Sequence, residues 1–142
     1  MKSVFRTLLA VIIGVALAFV LVIAVEWFGA VVHPIPADFN GNIGEYVRRY
    51  PHWILAIVVF AWSATSTAAT WVASRIGNRI AGAVVALLLA GALVFNVTRL
   101  PYTMWFKVAV LIAVPAACLL GIRYGKRLGP TLRVGVPNGN SG

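Results

Sequence analysis

The chain has 142 residues, 61% of them hydrophobic and only 11% charged, with a mean hydropathy of +0.94; soluble domains carry about a quarter charged residues. Too few polar side chains are present to cover the chain in water, which excludes a soluble fold and points to an integral membrane protein of one compact domain. A net charge of +9, from twelve Lys and Arg against three acids, does not indicate nucleic acid as a partner. The cations sit at the ends of apolar runs, where they meet cytoplasm and lipid heads, rather than in a stripe with interleaved aromatics.

The N-terminus places Lys2 and Arg6 before an uncharged run from Thr7 to Val25. That run is about 19 residues, longer than a signal-peptide core of ~7–15. It ends in Glu26-Trp27-Phe28 rather than in a small-residue cleavage site. The expectation is a retained membrane helix over about 4–32, because a span needs ~20 mainly apolar residues. His33-Pro34 ends it, since the residue before proline resists the α region.

The loop 33–52 is the longest connection. Within it Ile43, Tyr46, Val47 and Tyr50 share a face at helical spacing, and Glu45 is placed to pair with Arg48 and Arg49 at i+3 and i+4. Pro51 stops the segment. The pattern predicts a short amphipathic helix lying on the outer membrane surface.

Three further spans follow, at about 53–74, 79–98 and 104–123. Gly77 suits the end of one helix and Asn78 the N-cap of the next, so the second and third form a tight hairpin. Pro115 should bend the last span by freeing a backbone carbonyl. Small residues recur every fourth position: Ala10, Gly14, Ala18; Ala61, Thr65, Ala69, Ala73; Gly82, Ala86, Ala90; and Ala109, Ala113, Ala117, Gly121. In lipid such lines allow close backbone approach. The fold class is therefore all-α: a four-transmembrane-helix bundle over 1–124 with a short amphipathic interfacial helix in the first outer loop. From Gly125 to Gly142 a basic, Gly- and Pro-rich tail without apolar period should be mobile near lipid heads.

Lys2, Arg6, Arg75, Arg79, Arg123, Lys126, Arg127 and Arg133 flank one set of helix ends; only Arg48, Arg49, Arg99 and Lys107 flank the other. By the positive-inside rule both termini are cytoplasmic, in a bacterial inner membrane. Trp27, Trp53, Tyr102 and Trp105 then mark the outer interface, and Phe5, Trp71 and Tyr124 the inner one. Arg-x-Pro followed by Trp occurs both in "RYPHW" (49–53) and in "RLPYTMW" (99–105), an echo that a parallel duplication of a two-helix unit would give and that proline at helix starts and tryptophan at interfaces, the favoured reading, would give as well.

Two groups of polar residues are candidate sites. At the outer face Glu26 and His33, seven apart on one helical face, lie level with Asn96 and Arg99. An ionisable residue at membrane depth is a functional candidate by default, and Arg99 is the expected cation for Glu26, in a structural pair. In the second span Ser63, Ser66, Thr67 and Thr70 offer either hydroxyls bonded back to their own helix or a polar lining for a solute path. Cys118, the only cysteine, forms no intrachain disulfide and reads as a small packing residue.

There is no phosphate-binding Gly-rich loop, no nucleophile triad and no His-x-x-x-His pair. Neither enzyme activity nor a cofactor is expected. Glu26, His33 and His52 match no metal-ligand spacing. Four short spans with a glutamate in the first resemble the small multidrug resistance transporters in topology. Glu26 lies nearer the outer end than that family's mid-span glutamate, and no function is carried over. The expectation is a small scaffold or accessory subunit working by helix–helix association, as a homo-oligomer or in a larger membrane complex. The alternative is a small-solute or proton-coupled transporter or channel component using Glu26 and the hydroxyl-rich helix.

Overall fold

A computed structural model describes residues 2–34, 37 and 39–127. The described residues form five helices: α1 (Lys2–Val32), α2 (Ile43–Arg48), α3 (His52–Ile76), α4 (Arg79–Arg99) and α5 (Met104–Arg127). Of these, α1, α3, α4 and α5 are long and apolar enough to cross a membrane. Spans and turns fall where the apolar runs and breakers place them, with α3 and α5 extending a turn or less beyond expectation. α5 passes the expected domain edge at 124, and residues 128–142 of the expected tail lie outside the described residues.

α3 is the central element and packs against α1, α4 and α5, while α1 touches α3 and α4. Two apolar clusters result. Ala10 and Ala18 of α1 meet Ala69, Ala73, Ala81 and Val85. Leu55, Leu93, Val97, Phe106, Val110, Val114 and Cys118 form the other, between α3, α4 and α5. Cys118 is thus a buried packing residue. The small-residue lines are used inside the chain. A methyl at Gly14 would meet Ala73 Cβ at 3.0 Å and the Ala69 carbonyl at 3.1 Å, and one at Gly121 would strike the Thr70 hydroxyl. Backbones come this close only where side chains are missing.

The α3–α4 turn refines one expectation. Gly77 ends α3 with φ −94°, so it is not a left-handed cap. It is glycine for want of space: a Cβ there would lie 2.7 Å from Ala10 Cβ and 2.9 Å from Ala81 Cβ. Asn78 caps α4 as expected, its Oδ1 accepting from Ala81 N at 2.9 Å, and its Nδ2 donates to Thr7 Oγ1 at 3.1 Å. Arg6 Nε donates to the Ile76 carbonyl at 2.6 Å. The start of α1 is thereby tied to the turn on both sides. Pro115 lies within α5 without ending it.

α2 is a single short helix capped by Asn42, whose Oδ1 accepts from Glu45 N at 3.2 Å. Val47 is buried, while Ile43 on the expected apolar face stays exposed. Glu45 pairs with Arg49 at 2.6 Å, one turn on.

Candidate functional site

The outer candidate residues are arranged by rotation about α1. Val22 lines a cavity of about 140 Å³ with Trp62, Thr65, Ser66, Leu93, Asn96 and others of α3, α4 and α5. Glu26, one turn beyond Val22 on α1, is exposed at the edge of this region. Beyond the cavity lie Tyr50 and Tyr102, both near enough for the Glu26 charge to act on their phenols. Burial is the larger cause in each: it pushes Tyr102 up to about 12 and Tyr50 above the ordinary phenol range, and the carboxylate adds to both. Tyr102 packs on Phe106 at 4.6 Å between centroids, and Phe106 meets the edge of Trp62 at 6.0 Å. An aromatic column thus runs from the level of Glu26 to the cavity wall.

His33 is brought to this region by α2. Its ring stacks on Tyr46 at 5.7 Å and tilts against Tyr50 at 5.1 Å. Tyr46 donates its hydroxyl to the His33 carbonyl at 2.7 Å, and Tyr50 lies within 3.4 Å of the Tyr46 hydroxyl. His33 Nε2, Trp62 Nε1 and Asn96 Oδ1 are buried and have no hydrogen-bond partner among the described residues.

The expected Glu26–Arg99 pair is not formed. Among the described residues no ion pair joins them, and the Arg99 guanidinium lies over the Phe95 ring at 5.2 Å. Nor does Asn96 Oδ1 bond to Glu26, since it has no partner. Equal depth is necessary for such a pair but not sufficient. Arg99 turns toward Phe95 on its own helix, while the Glu26 charge acts at a distance on Tyr50 and Tyr102. Glu26 and His33 therefore have one tyrosine in common, Tyr50, and Arg99 does not join them.

The hydroxyls of α3 are mostly engaged with backbone. Ser63 Oγ donates to the Val59 carbonyl at 2.7 Å, and Thr70 Oγ1 to the Ser66 carbonyl at 2.7 Å. Thr67 Oγ1 reaches the Ser63 carbonyl at 3.0 Å and crosses to the Ala117 carbonyl of α5 at 3.2 Å. Ser66 is buried against the Cys118 thiol. Ser66 and Thr65 border the cavity.

Sequence reading missed Tyr46, Tyr50, Tyr102 and Trp62. Their signal was available in part: Tyr46 and Tyr50 are one turn apart, at the helix face already noted. It also missed that the two Arg-x-Pro segments meet, with Trp105 Nε1 donating to His52 Nδ1 at 3.1 Å. No group of three His, Cys, Asp or Glu able to hold a metal ion occurs among the described residues. No protein-family model matches this sequence, and comparison with curated proteins and with solved structures gave no match.

Proposed function

We propose that this chain is a small scaffold or accessory subunit of the bacterial inner membrane, with both termini cytoplasmic, α2 at the outer membrane surface, and helix–helix association as its mode of action. The observation that carries this reading is α1. It packs along one side only, against α3 and α4. Its other side presents Phe5, Leu8, Ile12, Phe19, Ile23 and Trp27, all exposed and spaced mostly three or four apart. A continuous stripe of large apolar side chains offers a neighbouring helix a packing surface over the full span. The hydroxyls of α3 support the same reading, because their bonds to carbonyls serve cohesion rather than a polar route.

The test is disulfide cross-linking in native membranes. Ile12→Cys and Phe19→Cys should give a covalent dimer or a cross-linked partner, while Leu88→Cys, exposed on α4, should not. A strictly monomeric particle from native membranes would count against the proposal.

A second reading is favoured by one observation, the cavity bordered by Asn96 and Trp62 with their unpartnered buried polar atoms. Under it the chain carries a small solute or protons past Glu26. Purified protein in liposomes should then show a flux that Glu26→Gln reduces, and no flux across a broad solute panel would retire it.

A further inference from the structure

The cavity that Val22 borders follows from how α1 is seated. Near its start α1 lies close to α3, since a methyl at Gly14 would sit 3.0 Å from Ala73 Cβ; at Gly29, toward its end, a methyl would meet nothing within 4 Å. Beyond the close contact a cavity of about 140 Å³ remains, with Val22 on the α1 side.

Two helix faces bring polar groups to it. On α4, Leu89, Ala92, Leu93 and Asn96 recur at three- and four-residue spacing, so they share one face, and all four line the cavity. On α3, Trp62, Thr65 and Ser66 share a face by the same spacing and line it too. Asn96 Oδ1 and Trp62 Nε1 are buried, and neither has a hydrogen-bond partner among the described residues. A buried acceptor and a buried donor left unmade are costly, and a molecule in the cavity that pairs with both removes that cost.

The walls restrict what that molecule is. None of the nine described residues that line the cavity is charged, so an ion would lose its water there without a countercharge. The volume is close to the ~150 Å³ of an apolar cavity that accepts benzene, and well below the ~300–1,000 Å³ of pockets for drug-sized ligands. A single water, at ~30 Å³, would leave most of the space empty. We infer that this cavity binds a small neutral molecule about the size of one aromatic ring, whose hydroxyl or amide group donates to Asn96 Oδ1 and accepts from the Trp62 indole N–H. This rests on the solute-carrying reading given above and adds a chemical class to the solute.

The full chain in phosphatidylcholine nanodiscs, with empty nanodiscs as the blank, is titrated with para-fluorophenol and with fluorobenzene and followed by fluorine NMR. Para-fluorophenol should bind above the blank, and about tenfold more tightly than fluorobenzene, which leaves both buried groups unpaired. Asn96→Leu and Trp62→Phe should each weaken para-fluorophenol about tenfold and leave fluorobenzene unchanged. Val22→Trp, which fills the cavity from α1, should abolish binding of both. Para-fluorobenzoate should stay at the blank. Equal affinity of the wild type for the two neutral probes would reduce the site to a plain apolar hollow and overturn the inference, and this comparison needs no variant to fold. Binding that survives Val22→Trp would put the molecule elsewhere, binding of para-fluorobenzoate would overturn the neutral class, and no binding above the blank would leave the cavity to water alone. The transport reading fails separately: binding of para-fluorophenol without flux in liposomes keeps the site and retires transport. A flux that Glu26→Gln reduces, with no probe bound, keeps transport and sinks the site.

Discussion

The Tyr46 phenol donates to the main-chain carbonyl of His33 at 2.7 Å, so α2 closes the end of α1 from outside that helix. His33 N–H still bonds back to the Gly29 carbonyl, but Pro34 follows and cannot continue the helix. Carbonyls at a helix end need a donor from elsewhere, and Tyr46 supplies one while its ring covers the imidazole. Tyr46→Phe keeps the ring contact and removes the bond. It should lower stability by about 0.5–1.5 kcal/mol, seen as earlier melting in detergent. Tyr50→Phe should cost less, because its own contact to Tyr46 is long at 3.4 Å. Equal melting of wild type and Tyr46→Phe would show that the tether adds no stability.

Glycine positions separate close packing from mere composition. Gly14→Ala places a methyl 3.0–3.1 Å from Ala73, Ala69 and Val85, so the helices must move apart, at about 1–3 kcal/mol. Gly29→Ala and Gly91→Ala meet nothing within 4 Å and should be neutral or slightly stabilising, since alanine favours helix. A thermal shift series over the three variants checks this. Similar melting for all three would mean that α1 does not seat against α3 through Gly14.

Thr67 is the one α3 hydroxyl that bonds across to a neighbouring helix backbone among those singled out from sequence. Thr67→Val keeps the shape and removes that link to α5; the expected loss is about 0.6–1.7 kcal/mol, the range for interhelical hydrogen bonds in membranes. Thr98→Val is the comparison, because the Thr98 hydroxyl bonds only within α4 and is exposed. If the two variants unfold alike in denaturant, the Thr67–Ala117 bond contributes nothing.

The long helices were legible because apolar length is dictated by the hydrocarbon thickness and needs no knowledge of neighbours. The Asn78 cap and the Glu45–Arg49 pair were legible for a similar reason, being contacts within a few residues. The partner of Glu26 was not. Matching Glu26 to Arg99 used depth alone, whereas contact also requires that both helices turn the right face, and Arg99 lies on Phe95 instead. Tyr102 sits only three residues beyond Arg99, but its approach to Glu26 depends on how α5 packs after the turn at Pro101. Gly77 shows the same limit. Its place at a turn was readable, but the collision that requires glycine involves Ala10, 67 positions away in the chain.

The burial of Tyr102 within range of the Glu26 charge makes a titration prediction whose sign is fixed. Burial first, and the Glu26 charge second, raise the Tyr102 phenol from 10.0 to about 12. Both disfavour the phenolate, so the folded chain holds this proton after the unfolded chain has released it. The resulting stability is fully present below pH 10 and is lost as pH rises from about 10 to about 12. Tyr50, raised by burial, its contact with Tyr46 and the same carboxylate, acts in the same direction. Alkaline titration followed by tyrosinate absorbance should show a late step that Tyr102→Phe diminishes. Glu26→Gln removes one cause and leaves burial, so the late step should move to lower pH without vanishing. Arg99→Gln should leave it in place, because the Arg99 guanidinium lies over Phe95 and is not among the causes acting on Tyr102. A late step that responds to Arg99→Gln but not to Glu26→Gln would contradict the action of the Glu26 charge on Tyr102 and restore its pairing with the arginine.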